Sequence, residues 1–375
     1  MTQQVSLYDK YLGCVGAAAG DALGAATETL STRQIENLYG GRVADFCTPS
    51  DETLARGRQA GQVTDAFSIP FVLALNILKN RGGVSRLVGE QALREWGESE
   101  WFAPFAGMTT RNVVNRLKKE DVKGLWAYSG QLGSKLFKGH YYALSSNGAA
   151  VKAWPASLLH PFDVDAAISD TVELTMASHD DPFSISGACA VSAAISGALK
   201  EGTSLFDVME AASYGARRGE ELARGRSDVW VYPGPSVSSR LDMAVETALL
   251  HKNNGMNAIR ELIGCGPAIA ETVPAAFGLL VVHGVDVEEA MLDAVNIGDE
   301  TSAIASVVGA VGGAWKGIFA FPEHYLIRIE KANNFDLSSV AGRLLDVGSG
   351  AQRSPEGRES GRSTTPTSGA DRWKK

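Results

Sequence analysis

An all-α fold is predicted by three features of this sequence. Apolar and small residues recur at three- and four-residue spacing, alternating β-branched runs are nearly absent, and the more polar segments carry their charges on one face. With 375 residues, 45% of them hydrophobic, the chain can bury a substantial core. No Pro- or Gly-rich linker interrupts residues 5–345, so one large domain over residues 1–347 is expected rather than two.

The first helical segment is LYDKYLGCVGAAAGDALGAA, in which Leu12, Val15, Ala19 and Leu23 share a face and small residues let a neighbour approach closely. Next, GQVTDA leads into the apolar run FSIPFVLALNIL, where Thr64 and Asp65 stand at N-cap and first-turn positions. Residues 86–96 (RLVGEQALREW) and 239–250 (SRLDMAVETALL) separate charged from apolar faces and read as outer helices. Residues 184–200 (SISGACAVSAAISGALK) and 301–317 (TSAIASVVGAVGGAWKG) have too few charges for a solvated face and read as central helices buried on nearly every side. The piece VWVY at 229–232 is the only strand candidate, and no internal repeat of fixed period is found. From Gly348 the composition turns to Gly, Ser, Thr, Pro and Arg without an apolar pattern, so residues 348–375 are expected to be a disordered tail.

A formal net charge of −8 gives no global basic field for nucleic acid or an anionic membrane, and a small-molecule partner is the better expectation. Cys14, Cys47, Cys189 and Cys265 form no C-x-x-C pair, which suits reduced, structural thiols. There is neither a signal-like N-terminus nor an apolar run of membrane-spanning length, so a soluble, cytoplasmic protein is expected.

Carboxylates at the edges of small-residue helices need explaining, because a charge near a packed core is costly unless it is compensated. Four groups qualify: Asp21 with Glu28, Thr64 with Asp65, His179 with Asp180 and Asp181, and Asp299 with Glu300, Thr301 and Ser302. Each has a bland reading. Asp21 can accept backbone donors, Thr64 and Asp65 can cap a helix, SHDDP can open one with Pro182 in its first turn, and NIGDETSAIA is a Gly turn before a buried helix. Their convergence would instead make an oxygen-only site suited to Mg²⁺, and periodicity leaves both readings open.

Five segments in order resemble the ADP-ribosylglycohydrolase family from Gly13 to about Leu345. They are GCVGAAAGDALGAATE (13–28), GQVTD (61–65), SSNGAAVKAWP (145–155), SHDDP (178–182) and AVNIGDETSAIASVVGAVGGAWKG (294–317). The resemblance implies an all-α domain holding two Mg²⁺ ions at its centre. It also implies hydrolysis at the anomeric carbon of a ribose in an ADP-ribosyl or related compound, free or attached to a protein. Carried over by position, Thr64, Asp65, Asp299, Glu300 and Thr301 would be metal ligands. Asp65 and Glu28 would be catalytic, the former orienting water and the latter touching metal or substrate. Asn147, Gly148 and Ala149 would line the ribose or phosphate pocket, with Asp181 supporting it from behind.

The sequence also departs from the family pattern. Ala66 stands in place of the second aspartate of Thr-Asp-Asp, Ser302 in place of the second late aspartate, and Glu300 in place of the first. Asp299 occupies a glycine position, and Lys152 replaces a frequent arginine, losing a planar bidentate contact. Fewer carboxylates leave less charge to offset two dehydrated divalent ions, so one ion or weak binding is also implied. Two functions follow as expectations: a weakened Mg²⁺-dependent ribosyl glycosidase, or an inactive relative that binds an ADP-ribose-like ligand or serves a structural role.

Overall fold

The structure, a computed structural model, describes residues 5–119 and 145–350. The expected disordered tail, apart from its first residues, lies outside the described residues.

Helices α1 (Leu7–Gly13), α2 (Gly16–Gly24), α3 (Thr32–Tyr39), α4 (Asp65–Lys79), α5 (Arg86–Trp96), α6 (Phe102–Phe105) and α7 (Met108–Lys118) form the first part. After a 3₁₀ turn at Asn147–Lys152 come α8 (Trp154–Ser157), α9 (Val164–Thr175), α10 (Pro182–Ala198), α11 (Leu205–Arg224), α12 (Val237–Leu250) and α13 (Gly255–Leu262). The last are α14 (Ile269–His283), α15 (Val287–Asn296), α16 (Thr301–Lys316), α17 (Glu323–Asn333) and α18 (Leu337–Gly348). No strand occurs among the described residues, and the fold is all-α with one large shared core. VWVY is therefore not a strand. It belongs to the connection between α11 and α12, tied down where Trp230 N donates to Asp180 O at 2.8 Å.

Small residues decide the centre. Every residue of α10 except Gly197, and every residue of α16 except Lys316, is buried. Helix α2 lies directly on α16, backbone against backbone. A methyl group added at Gly309 would be driven into the Gly16 carbonyl, and one at Gly20 into the Ala305 carbonyl, so only glycine permits this approach. The predicted first helix is divided in two at Cys14–Val15. Val15 N, Ala17 N and Ala18 N there bond three residues back, to Leu12, Cys14 and Val15, which tightens the turn and re-aims α2.

One local unit occurs twice, at a separation that leaves no tandem period. His160 and His283 each close on an aspartate ten residues later, Asp170 and Asp293, both at 2.6 Å. In each copy an intervening aspartate, Asp163 or Asp286, caps the helix between them, α9 or α15. Each of these helices then leads into a buried small-residue helix, α10 or α16.

Two outcomes are expected in urea unfolding. Gly309→Ala should lose about 3 kcal/mol, because neither backbone can retreat. His160→Ala and His283→Ala should each lose about 1 kcal/mol, the two effects adding because the pairs sit in separate copies.

Candidate active site

Asp21, in the middle of α2, reaches sideways to the start of α4. Its Oδ2 accepts from Thr64 N at 2.9 Å and Phe67 N at 2.8 Å, and its Oδ1 from the Thr64 hydroxyl at 2.6 Å. Thr64 is also the N-cap of α4, its Oγ1 accepting from Ala66 N at 3.3 Å. Two backbone donors that the helix leaves unpaired are thus met by a carboxylate of another helix. Burial nevertheless raises the proton affinity of Asp21, to a pKa of about 7 against the three bonds that favour its charge.

Asp65 is the first residue of α4 and is half-buried. Its pKa is raised to about 8, first by desolvation and then by Asp21 and Glu300, with Lys152 opposing. Glu28 follows the end of α2 and is buried; its Oε2 has no hydrogen-bond partner, and Ser302 bonds the carboxylate. Desolvation, then Glu300, Asp65 and Asp21, push its proton affinity well up. Glu300 precedes α16 without capping it. Instead its Oε2 accepts from Asn147 Nδ2 at 2.8 Å, and burial raises its pKa. Glu28, Asp65 and Glu300 thus come from three separate elements to one acidic centre, near enough that Glu28 is raised by the other two and Asp65 by Glu300.

Not every candidate turns toward this recess. Thr301 Oγ1 donates to Gly24 O at 2.9 Å and meets Thr27 Oγ1 at 3.0 Å, so its hydroxyl fastens α16 to the end of α2. Asp299 is in the left-handed region at φ 57° after Gly298 at φ 99°. Its carbonyl accepts from Thr29 N at 2.8 Å, while its exposed side chain lies beside Gly266 and is raised in pKa by burial and by Glu271. The Gly-Asp pair was the sequence signal for this turn, since aspartate tolerates αL better than most residues.

The third wall is the 3₁₀ turn. Asn147 N donates to Pro267 O at 2.9 Å and its Nδ2 also meets Thr272 Oγ1 at 3.2 Å, fixing the amide that holds Glu300. Gly148 faces the His179 ring, and Ala149 is fully buried with its N–H spent on Ser146 O at 3.2 Å. Asp181 caps α10, its Oδ1 accepting from Ser184 N at 2.9 Å, Phe183 N at 3.1 Å and the Ser145 hydroxyl at 2.7 Å. It braces the strand-like stretch before the turn rather than facing the recess.

Sequence reasoning missed the polar chain behind this wall. Lys152 Nζ donates to Ser178 Oγ; Ser178 Oγ meets His179 Nδ1 at 2.8 Å, and His179 Nε2 meets Ser146 Oγ at 2.8 Å. Burial and then Lys152 push His179 well below its usual range, so the ring is neutral. A cavity of about 250 Å³ adjoins the wall, lined by Ser145, Phe183, Pro235, Arg240, Ala268 and Glu271. The aromatic residues Trp96, Trp101 and Trp154 are core residues, Trp96 donating to Ser68 Oγ and Trp154 stacking on Phe67. The Tyr232 hydroxyl meets Ser145.

The donors available do not fit a pair of magnesium ions. Two carboxylate positions are Ala66 and Ser302, the hydroxyls of Thr64 and Thr301 are spent on packing, and Asp299 faces Glu271. Among the described residues no three His, Cys, Asp or Glu side chains are disposed to hold a metal ion. The remaining donors, Glu28, Asp65 and Glu300, are oxygen-only, and the buried Oε2 of Glu28 is unpartnered.

An all-helical frame with carboxylates gathered at helix starts over a central recess is the arrangement that has emerged. The ADP-ribosylglycohydrolase family model matches residues 3–354, and the chain belongs to this family. It is 23% identical over 343 residues to the uncharacterized protein YegU of Escherichia coli (strain K12), covering 90% of this chain and 96% of that protein. It is 27% identical over 349 residues to an uncharacterized protein of Archaeoglobus fulgidus, covering 90% and 97%. A solved structure titled "ADP-ribosylglycohydrolase-related protein complex" aligns with a TM-score of 0.60 at 20% identity, over 92% of this chain and 99% of that chain, which shows a shared fold.

Two stability measurements follow from the recess. Asp21→Ala should cost about 3 kcal/mol, because buried N–H groups at the start of α4 lose their acceptor. The raised carboxyls ionise sooner in the unfolded chain than in the folded one, so stability is full at acid pH and is lost as pH rises from the ordinary carboxylate range through the folded values. Unfolding free energy should fall between about pH 5 and 8, and Glu28→Gln should flatten that decline.

Proposed function

We propose that this protein hydrolyses the glycosidic bond at the anomeric carbon of an ADP-ribosyl or related ribosyl compound, at the recess between the starts of α4 and α16. The observation that carries the reading is the convergence of Glu28, Asp65 and Glu300, three carboxyl groups of unlike exposure and bonding, at one point of a glycohydrolase-family fold. Glycosidic cleavage needs a proton for the leaving group, a base for water, and negative charge beside an oxocarbenium-like centre. Asp65 is kept protonated near neutral pH by burial and its acidic neighbours, which suits the acid. Glu300 is less enclosed and is held by Asn147 Nδ2, which favours its ionised form and suits the base. Glu300, once ionised, also supplies the charge that C1 needs as its bond lengthens, while Glu28 beside it carries a proton affinity pushed well up.

The adjoining cavity near Ser145 and Arg240 gives the rest of the ligand a place beyond the ribose. The substrate is then a small ADP-ribosyl compound or a modified protein side chain. With Ala66 and Ser302 at two carboxylate positions, the reading assigns no role to a pair of Mg²⁺ ions. The reading places the protein in the cytoplasm, in keeping with its four unpaired cysteines; no helix among the described residues is long and apolar enough to cross a membrane.

A second reading, ligand binding without turnover, is favoured by Ala66 and Ser302 at positions where the family resemblance implied carboxylates. One experiment separates the two. ADP-ribosyl-arginine, ADP-ribosyl-serine and nucleosides are incubated with the protein, release of ADP-ribose or base is followed by chromatography, and ADP-ribose affinity is measured by calorimetry. Asp65→Asn and Glu300→Gln should each lower the rate about 10²-fold with ADP-ribose affinity little changed. Binding of ADP-ribose with no release from any substrate would reject hydrolysis and leave the binding protein.

A further inference from the structure

The chain between α3 and α4 has no helix of its own, yet it delivers Asp65 to the site, so contacts from elsewhere must decide where it enters α4. Asp21 holds Thr64 and Phe67. The residues just before them are held by Asn333, the last residue of α17. Its Oδ1 accepts from Val63 N at 3.0 Å, and its Nδ2 donates to Gly61 O at 2.8 Å and to Ile329 O at 2.9 Å. Turned over, the amide would set its NH₂ against the Val63 N–H and its oxygen against two carbonyls, so only one orientation satisfies all three bonds. Gly61 is in the left-handed region at φ 88°, and a methyl group there would meet the Ala332 side chain at 3.4 Å. The chain therefore turns against the last turn of α17.

A second asparagine makes the same three bonds at the start of this loop. Asn296, the last residue of α15, accepts from Val43 N at 2.8 Å, and its Nδ2 donates to Val43 O at 2.8 Å and to Leu292 O at 2.7 Å. The loop is thus clamped at one end to the segment that leads into Glu300 and at the other just before Asp65. Its tie through Asp45 is weaker. The carboxylate meets His324 at 3.2 Å and Arg328 at 3.3 Å on the exposed face of α17, where ion pairs contribute little, whereas each asparagine satisfies backbone groups of the loop directly.

We infer that Asn333 is a positioning residue for Asp65: by holding Gly61 and Val63 it sets the entry of the chain into α4, and with it the place of Asp65 relative to Glu300. Asn333 works through backbone alone. The inference rests on the hydrolase reading for what Asp65 does, and on these hydrogen bonds for where Asp65 stands.

The test compares Asn333→Ala and Asn333→Asp in the full chain with His160→Ala, which removes a side-chain bond outside the site. Release of ADP-ribose or base gives kcat and KM, and amide hydrogen exchange is followed in parallel. Asn333→Ala should lower kcat about tenfold with KM changed less than about threefold, because misplacement of a reacting group costs rate more than binding. Asn333→Asp keeps an acceptor for Val63 N but sets carboxylate oxygen against Gly61 O and Ile329 O, and should lose at least as much. The amides of Val63 to Phe67 should exchange about tenfold faster in both. His160→Ala should leave kcat and this exchange within about twofold of wild type. Wild-type kcat in both Asn333 variants, an equal loss in His160→Ala, or unchanged exchange at residues 63–67 would overturn the inference. Should Asn333→Ala fail to fold, Gly61→Ala, which strains the same turn with Asn333 intact, decides on the same readouts. A wild type that releases nothing from any substrate rejects the hydrolase reading and leaves exchange to decide: acceleration confined to residues 61–67 upholds the placement, and acceleration spread through the domain, or none, overturns it.

Discussion

The clamp between Asp21 and the start of α4 is the interaction on which the rest of this centre depends. A carboxylate buried in the middle of a small-residue helix would be costly in isolation, but here it meets two backbone N–H groups and a hydroxyl at the positive end of a second helix. That contact fixes where α4 begins, and with it the position of Asp65. Because α2 also lies glycine-to-backbone on α16, the start of α16 is fixed to the same helix, and Glu300 comes to face Asp65. Small residues are thus as much a part of the site as the acids: they set helix separations that side chains of ordinary size would not allow.

Packing and charge pull against each other at this point. The fold buries four carboxyl groups, Asp21, Glu28, Asp65 and Glu300, and each carries a raised proton affinity, first from desolvation and, for Glu28 and Asp65, also from their acidic neighbours. Such a concentration of acids lowers stability, and its persistence in a well-packed centre is expected of a functional site rather than of a structural one. Backbone and side-chain donors relieve Asp21, and Asn147 relieves Glu300; Glu28 retains an oxygen without a donor.

Much of the fold was legible in the sequence. Residues 184–200 and 301–317 declared themselves as buried helices because a helix without a charged face has no place at a surface, and the faces of 86–96 and 239–250 likewise marked outer helices. The Thr-Asp step was legible as a cap, which Thr64 makes at the start of α4. VWVY misled because β-branched and aromatic residues suit any extended, half-buried segment, with or without a ladder. The twice-used His–Asp unit escaped notice because its copies share only a few positions at a single long separation. Asp299 was misleading for a backbone reason: the Gly298–Asp299 turn points its carbonyl inward and its carboxylate toward Glu271. The chain from Lys152 through Ser178 and His179 to Ser146 joins residues brought together only by packing, and no local pattern announces it.

In the proposed function, α2, α4, α16 and the 3₁₀ turn together seat a ribose against Asp65 and Glu300. A crystal structure grown with Mn²⁺ and ADP-ribose, read by anomalous scattering, tests this most directly. The ribose C1 should lie in contact with Asp65 and Glu300, with no more than one partly occupied Mn²⁺. Two fully occupied Mn²⁺ ions with Asp299 turned inward to bind them, or a ribose seated away from the starts of α4 and α16, would contradict it.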